Sequence, residues 1–576
     1  MTHSYSSEYP PGVTIDDGIV KFFETFYTTS DTPAAHDQYA DSFSRNATFI
    51  VASKTMQGHD EILAGRKAMW AAVASRQHTP VKIFPFGPDA DEVMIHGSLV
   101  MVLKDDRKAE LDWAARAKLV KEAQSWKMGF YQVFMHPRDR AGNYSDLSYW
   151  VDLAKTLEAG RFHGLFLADH LGIYDVYRGP GNPVPALEAG AQFPLGDPFL
   201  IISAMAAATK SLSFAVTAST TYENPYALAR RFSTLDHITN GRVGWNIVTS
   251  YLHSAAKAFG LDEEVPHDER YVRAEEYMSV VYKLLEGSWK DDARVRDTST
   301  GKYSDPEKVR QIVHEGQYFK CTATQQTHPS KQRTPFILQA GASSAGKQFA
   351  TKHSEAMFLP GMEPNGVKKL VQEIRTQAAQ NGRAPDSIKL LVGIVVIVDE
   401  TDEKAQKKYE EYLSYADLEG TAALFGGWTG HDLSKYGEDD DFRFTGSGAI
   451  QSMINNWSAT VPGTEGLKWT RRRVLQELAI GGAHPRAIGS PQTVANILQN
   501  WIDVAGIDGF NLSYAVSPGD FEDMITYLFP ELRKRGVFWT EYESEGATMR
   551  ESFLADGKGP KLRDDHPGTA YKWSST

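Results

Sequence analysis

At 576 residues and 64.0 kDa the chain exceeds one ordinary domain, so two or more compact units are expected. A net charge of −12 lacks the basic surface that nucleic acid or an anionic membrane requires, and no apolar run reaches spanning length. The N-terminus MTHSYSSEYPPG has no secretory core, and the single cysteine, Cys321, excludes an internal disulfide or a cysteine-rich metal site, so a cytoplasmic protein with no metal is expected.

Met1 to Gly12 reads as a disordered lead. Apolar residues Ile19, Val20, Phe22, Phe23 and Phe26 recur at helical spacing from Asp16 to Tyr27, and a second helix is predicted from Glu61 to Ala74. Strand-like runs follow at Val81–Phe86, Glu92–Leu103, Leu111–Val120 and Trp126–Met135, separated by charged turns such as KDDRK. Helices followed by a curved antiparallel sheet describe an α+β cone with an apolar interior. His36, Asp37, His96 and Tyr131 are its candidate polar members, and satisfied core or rim residues are the alternative.

After Pro137 strands alternate with helices. SDLSYWVDLAKTLEAG is an amphipathic helix with Ser145 as cap and Gly160 as stop, and HGLFLAD is a buried strand ending in Asp169. The most complete unit is SFAVTASTTYENPYALARRFSTLDHITNGRVGWNIVTSY: a strand, a helix capped by Asn224 with Pro225 in its first turn, a stop at Asn240-Gly241, and a second strand. Two buried strands joined by a helix imply a parallel pair with a right-handed crossover. Thr217, Ser219, Thr220, Glu223, Asn246, Thr249 and Ser250 gather at the strand ends, where a β/α protein places its chemistry. Further strands are Phe336–Gln339, Ala356–Leu359, Leu390–Val398 and Gly509–Tyr514. With these the chain offers seven parallel candidates, whereas a closed (β/α)8 barrel needs eight. The missing first strand can only be Met128–Met135, which the cone also claims. Two polar excursions, Gly287–Arg333 and Gly420–Thr464, are read as lids over the barrel mouth, and Ser544–Thr576 as a fraying tail. The domains expected are residues 1–135, 136–555, and a flexible tail 556–576.

Asp169 at a strand end is either a ligand acceptor or a loop-fixing residue. In PHDERY, His267 and Tyr271 lie four apart on one helical face; a capped helix start is the plain alternative. Gly341-Ala342-Ser343-Ser344-Ala345-Gly346-Lys347 follows a strand and opens a helix, so its N–H groups and two hydroxyls can bind an anion such as phosphate. The spelling fits GxxxxGK, but Gln348 stands where Ser or Thr would hold magnesium, which argues against a nucleoside triphosphatase. A glycine-rich turn is the alternative. Tyr222, Trp245 and Tyr251 near the mouth suit a planar ring or an ordinary core.

Two resemblances carry these patterns further. The stretch ending in WAARAKLVKEAQSWKMGFYQVFM resembles the nuclear-transport-factor-2-like superfamily of the polyketide-cyclase type. From His136 to about Leu554 the chain resembles the bacterial-luciferase-like flavin monooxygenases, in the subgroup of nitrilotriacetate, dibenzothiophene-sulfone and long-chain alkane monooxygenases. The matching stretches include FLADHLGIYDVYRGP, PHDERYVRAEEY, LLEGSWKDDARVRD, QRTPFILQAGASSAGKQFA and IGSPQTVANILQNW. This second resemblance implies a two-component system. A separate NAD(P)H-dependent reductase supplies reduced FMN, which reacts with O2 to a flavin C4a-(hydro)peroxide that oxygenates a small organic substrate. Carried over by position, Asp169, Thr217, His267, Tyr271 and Ser343 match FMN contacts, with Ser344 beside Ser343 at the phosphate and His267 also as the catalytic residue. A homo-oligomer is implied by analogy alone. The His- and Trp-containing loop that the family places before the position of His136-Pro137 is absent here. The alternatives are therefore a flavin- or small-ligand-binding fusion with little oxygenase activity, or a biosynthetic cyclase or isomerase acting through the N-terminal domain.

Overall fold

The computed structural model describes residues 3–51, 54–87, 90–104, 108–123, 125–135, 140–341, 343–438, 440–441 and 468–573. His136 and Pro137, Ala342 and most of the second excursion lie outside the described residues. The chain divides into two compact units, Met1–Asp139 and Arg140–Thr576.

In the first unit the helix Asp17–Asp31 is capped by the Asp16 carboxylate, which accepts from Gly18 N at 2.7 Å. Its buried face, Ile19, Phe23, Phe26 and Tyr27, packs into one aromatic core with Tyr39, Phe43, Phe49, Trp113 and Tyr131. Six strands, β1 (Phe43–Val51), β2 (Lys54–Gln57), β3 (Val73–Pro85), β4 (Glu92–Leu103), β5 (Lys108–Glu122) and β6 (Ser125–Met135), form a sheet in the order β2-β1-β6-β5-β4-β3. The second helix is Gly58–Met69. The lead is not free: Glu8 pairs with β3 through Glu8 N to Val81 O (2.9 Å) and Ile83 N to Glu8 O (3.0 Å), and Tyr5 and Tyr9 pack on the core.

The interior polar group differs from the one expected. His96 and Asp37 are exposed, because β4 turns His96 to its outer face, and His36 is half-buried. Tyr131 is buried, with its hydroxyl 3.1 Å from that of Tyr27. The close pair is Asp31 and His78, separated by 47 residues in sequence: Asp31 holds His78 Nδ1 at 2.5 Å and accepts from the His78 backbone N–H at 2.6 Å.

The second unit is built on parallel strands β7 (Gly164–Leu167), β8 (Ser213–Ser219), β9 (Val243–Val248), β12 (Phe336–Ala340), β13 (Ala356–Leu359), β14 (Lys389–Val398), β15 (Arg486–Gly489) and β16 (Gly509–Ser513); β10 (Ile312–Glu315) and β11 (Lys320–Ala323) form a separate hairpin. Seven strands run in series, β7-β8-β9-β12-β13-β14-β16. The short β15, which no sequence pattern marked, joins the far half of β14, where Val395–Val398 pair with Arg486–Gly489. Among the described residues β7 and β16 have no neighbour on their outer edges, so the sheet curls without closing, and the (β/α)8-type barrel, left by its missing first strand either open or sharing a strand with the cone, is open. The reason is local. Both edges of β6 are taken, by β1 and by β5, so Met128–Met135 belongs to the first sheet.

One face of this sheet, with Val216, Trp245, Ile337, Met357 and Ile394, packs under the helices. Trp245, 1% exposed, is therefore a core residue against Phe232 and Tyr277. The other, inner face carries Ala215, Phe336, Leu338, Ala356 and Leu391, covered by Met549 and Leu554 of the helix Met549–Leu554. The C-terminal stretch expected to fray is thus built in. Arg550 and His566 are buried, and His566 Nε2 lies 2.8 Å from His353 O. Composition misled here because its charged residues are paired internally, as in Arg563 with Asp556.

The first excursion is also placed differently from its expected position. The helix His267–Gly287 starts at the C-terminal ends of the strands, so the segment after it emerges at the opposite end. There Gln332 bonds Asp236 and Val243 O, and Arg333 bonds Leu285 O and Asp291. The second excursion follows β14 and the helix Asp402–Ser414, and lies near the mouth beside Tyr174. Its described residues Ala422, Ala423, Phe425 and Leu433 pack with Tyr174, Tyr177, Ala186 and Leu252, and with the later helix Arg471–Ala479, into an apolar cluster. No helix among the described residues is long and apolar enough to cross a membrane.

Candidate functional site

The helix Ser344–His353 follows β12 with only a short turn between. Ser343 is its N-cap, its Oγ accepting from Gly346 N at 3.0 Å, which leaves the hydroxyl proton free to donate. Two glycines make the turn compact. A Cβ on Gly341 would lie 3.0 Å from the Gly346 carbonyl, and one on Gly346 would lie 2.8 Å from the Tyr271 hydroxyl and 3.0 Å from Ser343 Oγ. Ser343, Gly346 and Tyr271 therefore converge where the N-termini of the helices Ser344–His353 and His267–Gly287 meet, so N–H dipoles from two helices face one small polar space.

Two of the expected residues stand apart from that point. Ser344 is exposed and lines an open groove of about 510 Å³ with Lys347, Lys369 and Gln372. His267 is half-exposed; its Nδ1 lies 2.8 Å from Asp268 and its ring 5.4 Å from that of Tyr271.

Thr217 shares the inner face of β8 with Ala215, and Asn246 that of β9 with Gly244. Asn246 Nδ2 donates to Thr217 Oγ1 at 2.9 Å, while Asn246 Oδ1 is buried without a partner among the described residues. An orphaned carbonyl at a strand end is the kind of group a ligand satisfies. Asp169, two residues past β7, is half-buried and has no cationic partner among the described residues. Burial, reinforced by Asp197 and Glu223, pushes its carboxyl up to about 6 against the pull of its hydrogen bond to the His170 N–H.

Aromatic and amide groups line the mouth beyond these. Tyr174 donates to Gln192 Oε1 at 2.6 Å, accepts from Trp428 Nε1 at 3.1 Å and is hydrogen-bonded to Tyr251. Tyr222 stacks on Phe259 at 4.6 Å. Gln192 and Trp428 were not singled out from sequence, because nothing in their spacing marks them. Among the described residues no group of three or more His, Cys, Asp or Glu could hold a metal ion.

Comparison with known proteins gives this geometry its context. Residues 128–506 match the sequence model described as luciferase-like monooxygenase. The chain is 46% identical over 440 residues to dimethyl-sulfide monooxygenase of Hyphomicrobium sulfonivorans, covering 76% of this chain and 90% of that one. It is 46% identical to long-chain alkane monooxygenase of Geobacillus thermodenitrificans, covering 76% and 94%. A solved riboflavin lyase with modified FMN and riboflavin superposes with a TM-score of 0.68 at 36% identity, covering 76% of this chain and 95% of that one. By sequence match and fold together, the chain belongs to the luciferase-like monooxygenase family.

Proposed function

We propose that the protein is the oxygenating component of a two-component, FMN-dependent monooxygenase, taking reduced FMN from a separate NAD(P)H-dependent reductase. The observation that carries this reading is the convergence of Ser343, Gly346 and Tyr271 at two helix N-termini, a polar space that a phosphate would fill. Ser343 Oγ and Tyr271 OH would donate to that phosphate, with the first-turn N–H groups of the helix Ser344–His353 behind them. His267 would flank the same side. Thr217, Asn246 and Asp169 would meet the polar parts of the flavin, Asp169 accepting a hydrogen bond with no cation competing for it. When bound, reduced FMN supplies two electrons to O2, so that one oxygen atom reaches the substrate and the other leaves as water. The protein's share is to exclude water and to hold the substrate near, for which the aromatic mouth around Tyr174, Trp428 and Tyr251 is suited. The relatives act on substrates as different as dimethyl sulfide and a long-chain alkane, so the substrate is left at the level of a small organic molecule.

The edges of β7 and β16, unpaired among the described residues, favour a second reading, a flavin-binding protein with little oxygenase activity, because an open sheet shields its interior less well. Anaerobic titration with photoreduced FMN followed by mixing with aerated buffer separates the two. Tight binding and slow reoxidation are expected; tight binding with immediate reoxidation would select the second reading. The first unit is read as a nuclear-transport-factor-2-like cone whose Asp31–His78 pair faces a small molecule, and activity of an isolated residues 1–135 fragment would transfer the chemistry there.

A further inference from the structure

The inner face of β14 carries a glycine where its neighbours in register carry bulk. Leu391, Gly393 and Val395 share the inner face, where Val395 clusters with Tyr409, Tyr412 and Leu413 of the helix Asp402–Ser414, and Gly393 is one step nearer the mouth than Leu391. The space a side chain would fill there is taken by His484: an ideal Cβ on Gly393 would lie 2.5 Å from both Cε1 and Nδ1 of the imidazole and 3.2 Å from Nε2. The ring is thus laid flat on the strand backbone, an approach open only to glycine.

Its loop is fixed on both sides. His484 N donates to Gly481 O at 3.0 Å, and Val395 N donates to Pro485 O at 2.9 Å. Gly481 and Gly482 have φ of +87° and +58°, and a Cβ on Gly482 would lie 2.8 Å from the Trp428 ring. The histidine therefore sits in the wall that also holds Trp428 and, through it, Tyr174.

The ring itself is unemployed. His170, His253 and His267 each have a ring nitrogen within hydrogen-bonding or ion-pairing distance of a named group, whereas neither ring nitrogen of His484 has a partner among the described residues. The residue is solvent-exposed, and the protein packed against one side of the ring lowers its pKa, so the neutral imidazole offers one donor and one acceptor. A neutral, accessible imidazole resting on Gly393 is a hydrogen-bonding position on the inner face.

We propose that His484 is a flavin-contacting residue, its imidazole hydrogen-bonding the carbonyl and N–H edge of bound FMN, with Gly393 as the platform that places it. The proposal rests on the FMN reading given above and adds a residue from a loop that carries no recognisable motif.

The test uses the full-length chain and FMN. FMN affinity is measured by quenching of flavin fluorescence, and carbethoxylation of His484 is followed by peptide mass spectrometry with and without saturating FMN. FMN is expected to slow modification of His484 at least tenfold, and His484→Ala to weaken FMN binding about tenfold, with His484→Gln restoring most of it. Gly393→Ala, which displaces the ring while leaving the histidine in place, is expected to weaken FMN binding to a similar degree; a thermal melt checks that it folds. FMN that binds yet leaves the modification rate of His484 unchanged overturns the proposal while the FMN reading stands. Failure of the unmodified chain to bind FMN at all overturns both.

Discussion

The two ends of the parallel sheet are made of similar residues used in opposite ways. At the end where the strands begin, the buried charges around Arg550, Asp236, Glu286 and Arg242 are answered, although Arg383 Nε has no partner among the described residues. Arg550 and Glu355, both essentially unexposed, meet through two bonds of 2.6 and 2.8 Å, and the remaining Arg550 donors reach Thr334 O, Pro335 O and Pro560 O. Asp236 takes Gln332 twice, Glu286 takes Thr334 twice, and Arg242 reaches four oxygens around Thr209. At the end where the strands finish, Asp169 faces two other acids, and among the described residues Asn246 Oδ1 is orphaned and the His484 ring has no partner. Satisfied polar groups hold the fold, and unsatisfied ones wait for something else.

Substitutions at the two ends should therefore separate stability from binding. The largest effect is expected from Arg550→Ala, which strands the Glu355 carboxylate in the interior: a loss of about 3–5 kcal/mol in urea unfolding, with FMN affinity of the remaining folded protein unchanged. A loss of FMN affinity as large as the loss of stability would erase the contrast between the ends. Ser343→Ala should do the reverse, weakening FMN by about 1–3 kcal/mol with only the small stability change of a lost cap. Unchanged FMN affinity would remove Ser343 from the phosphate site.

The smallest effect sharpens the comparison most. The Asp169 carboxyl is pushed up to about 6 in the folded chain, against about 4 when unfolded. The folded state thus holds its proton over a range where the unfolded state has lost it, and ionisation above pH 6 works against folding. Asp169→Asn should then stabilise the protein at pH 8, by on the order of 1 kcal/mol once solvent screening of a half-buried group is allowed for. The gain should fade as pH falls toward 4, while FMN affinity drops. A destabilised Asn variant at pH 8 would make Asp169 a loop-fixing residue after all.

Much of this was legible from the chain, and the misses have physical causes. Asn224 accepts from Tyr226 N and Ala227 N as a cap should, and Asn240 and Gly241 take positive φ at the stop, because these features are set by neighbours in sequence. The apolar runs of the seven strands in series read clearly. Arg486–Gly489 is too short and too mixed to register. The cap at Asp146 rather than Ser145 is a shift of one residue. The excursion Gly287–Arg333 was misplaced by judging it on length. The helix before it, His267–Gly287, starts at the C-terminal ends of the strands and carries the chain to the far end. Asp31 with His78, Trp428 with Tyr174, and His484 on Gly393 are long-range meetings, and no spacing rule contains them. The glycine-rich turn was found from spelling, but spelling did not distinguish Ser343, turned inward as a cap, from Ser344, turned out to the groove.

The helix Met549–Leu554 gives the order of synthesis a meaning. About 60 residues follow Ser513, the last strand residue, and they include Met549, Arg550 and His566. At about 5–20 residues per second the ribosome needs roughly 3–12 s to make them. Until then the nascent sheet exposes Ala215, Phe336 and Leu338 on its inner face and holds Glu355 without its arginine. A chaperone that masks apolar surface would find its client in that interval, and release would be timed by the arrival of the helix Met549–Leu554.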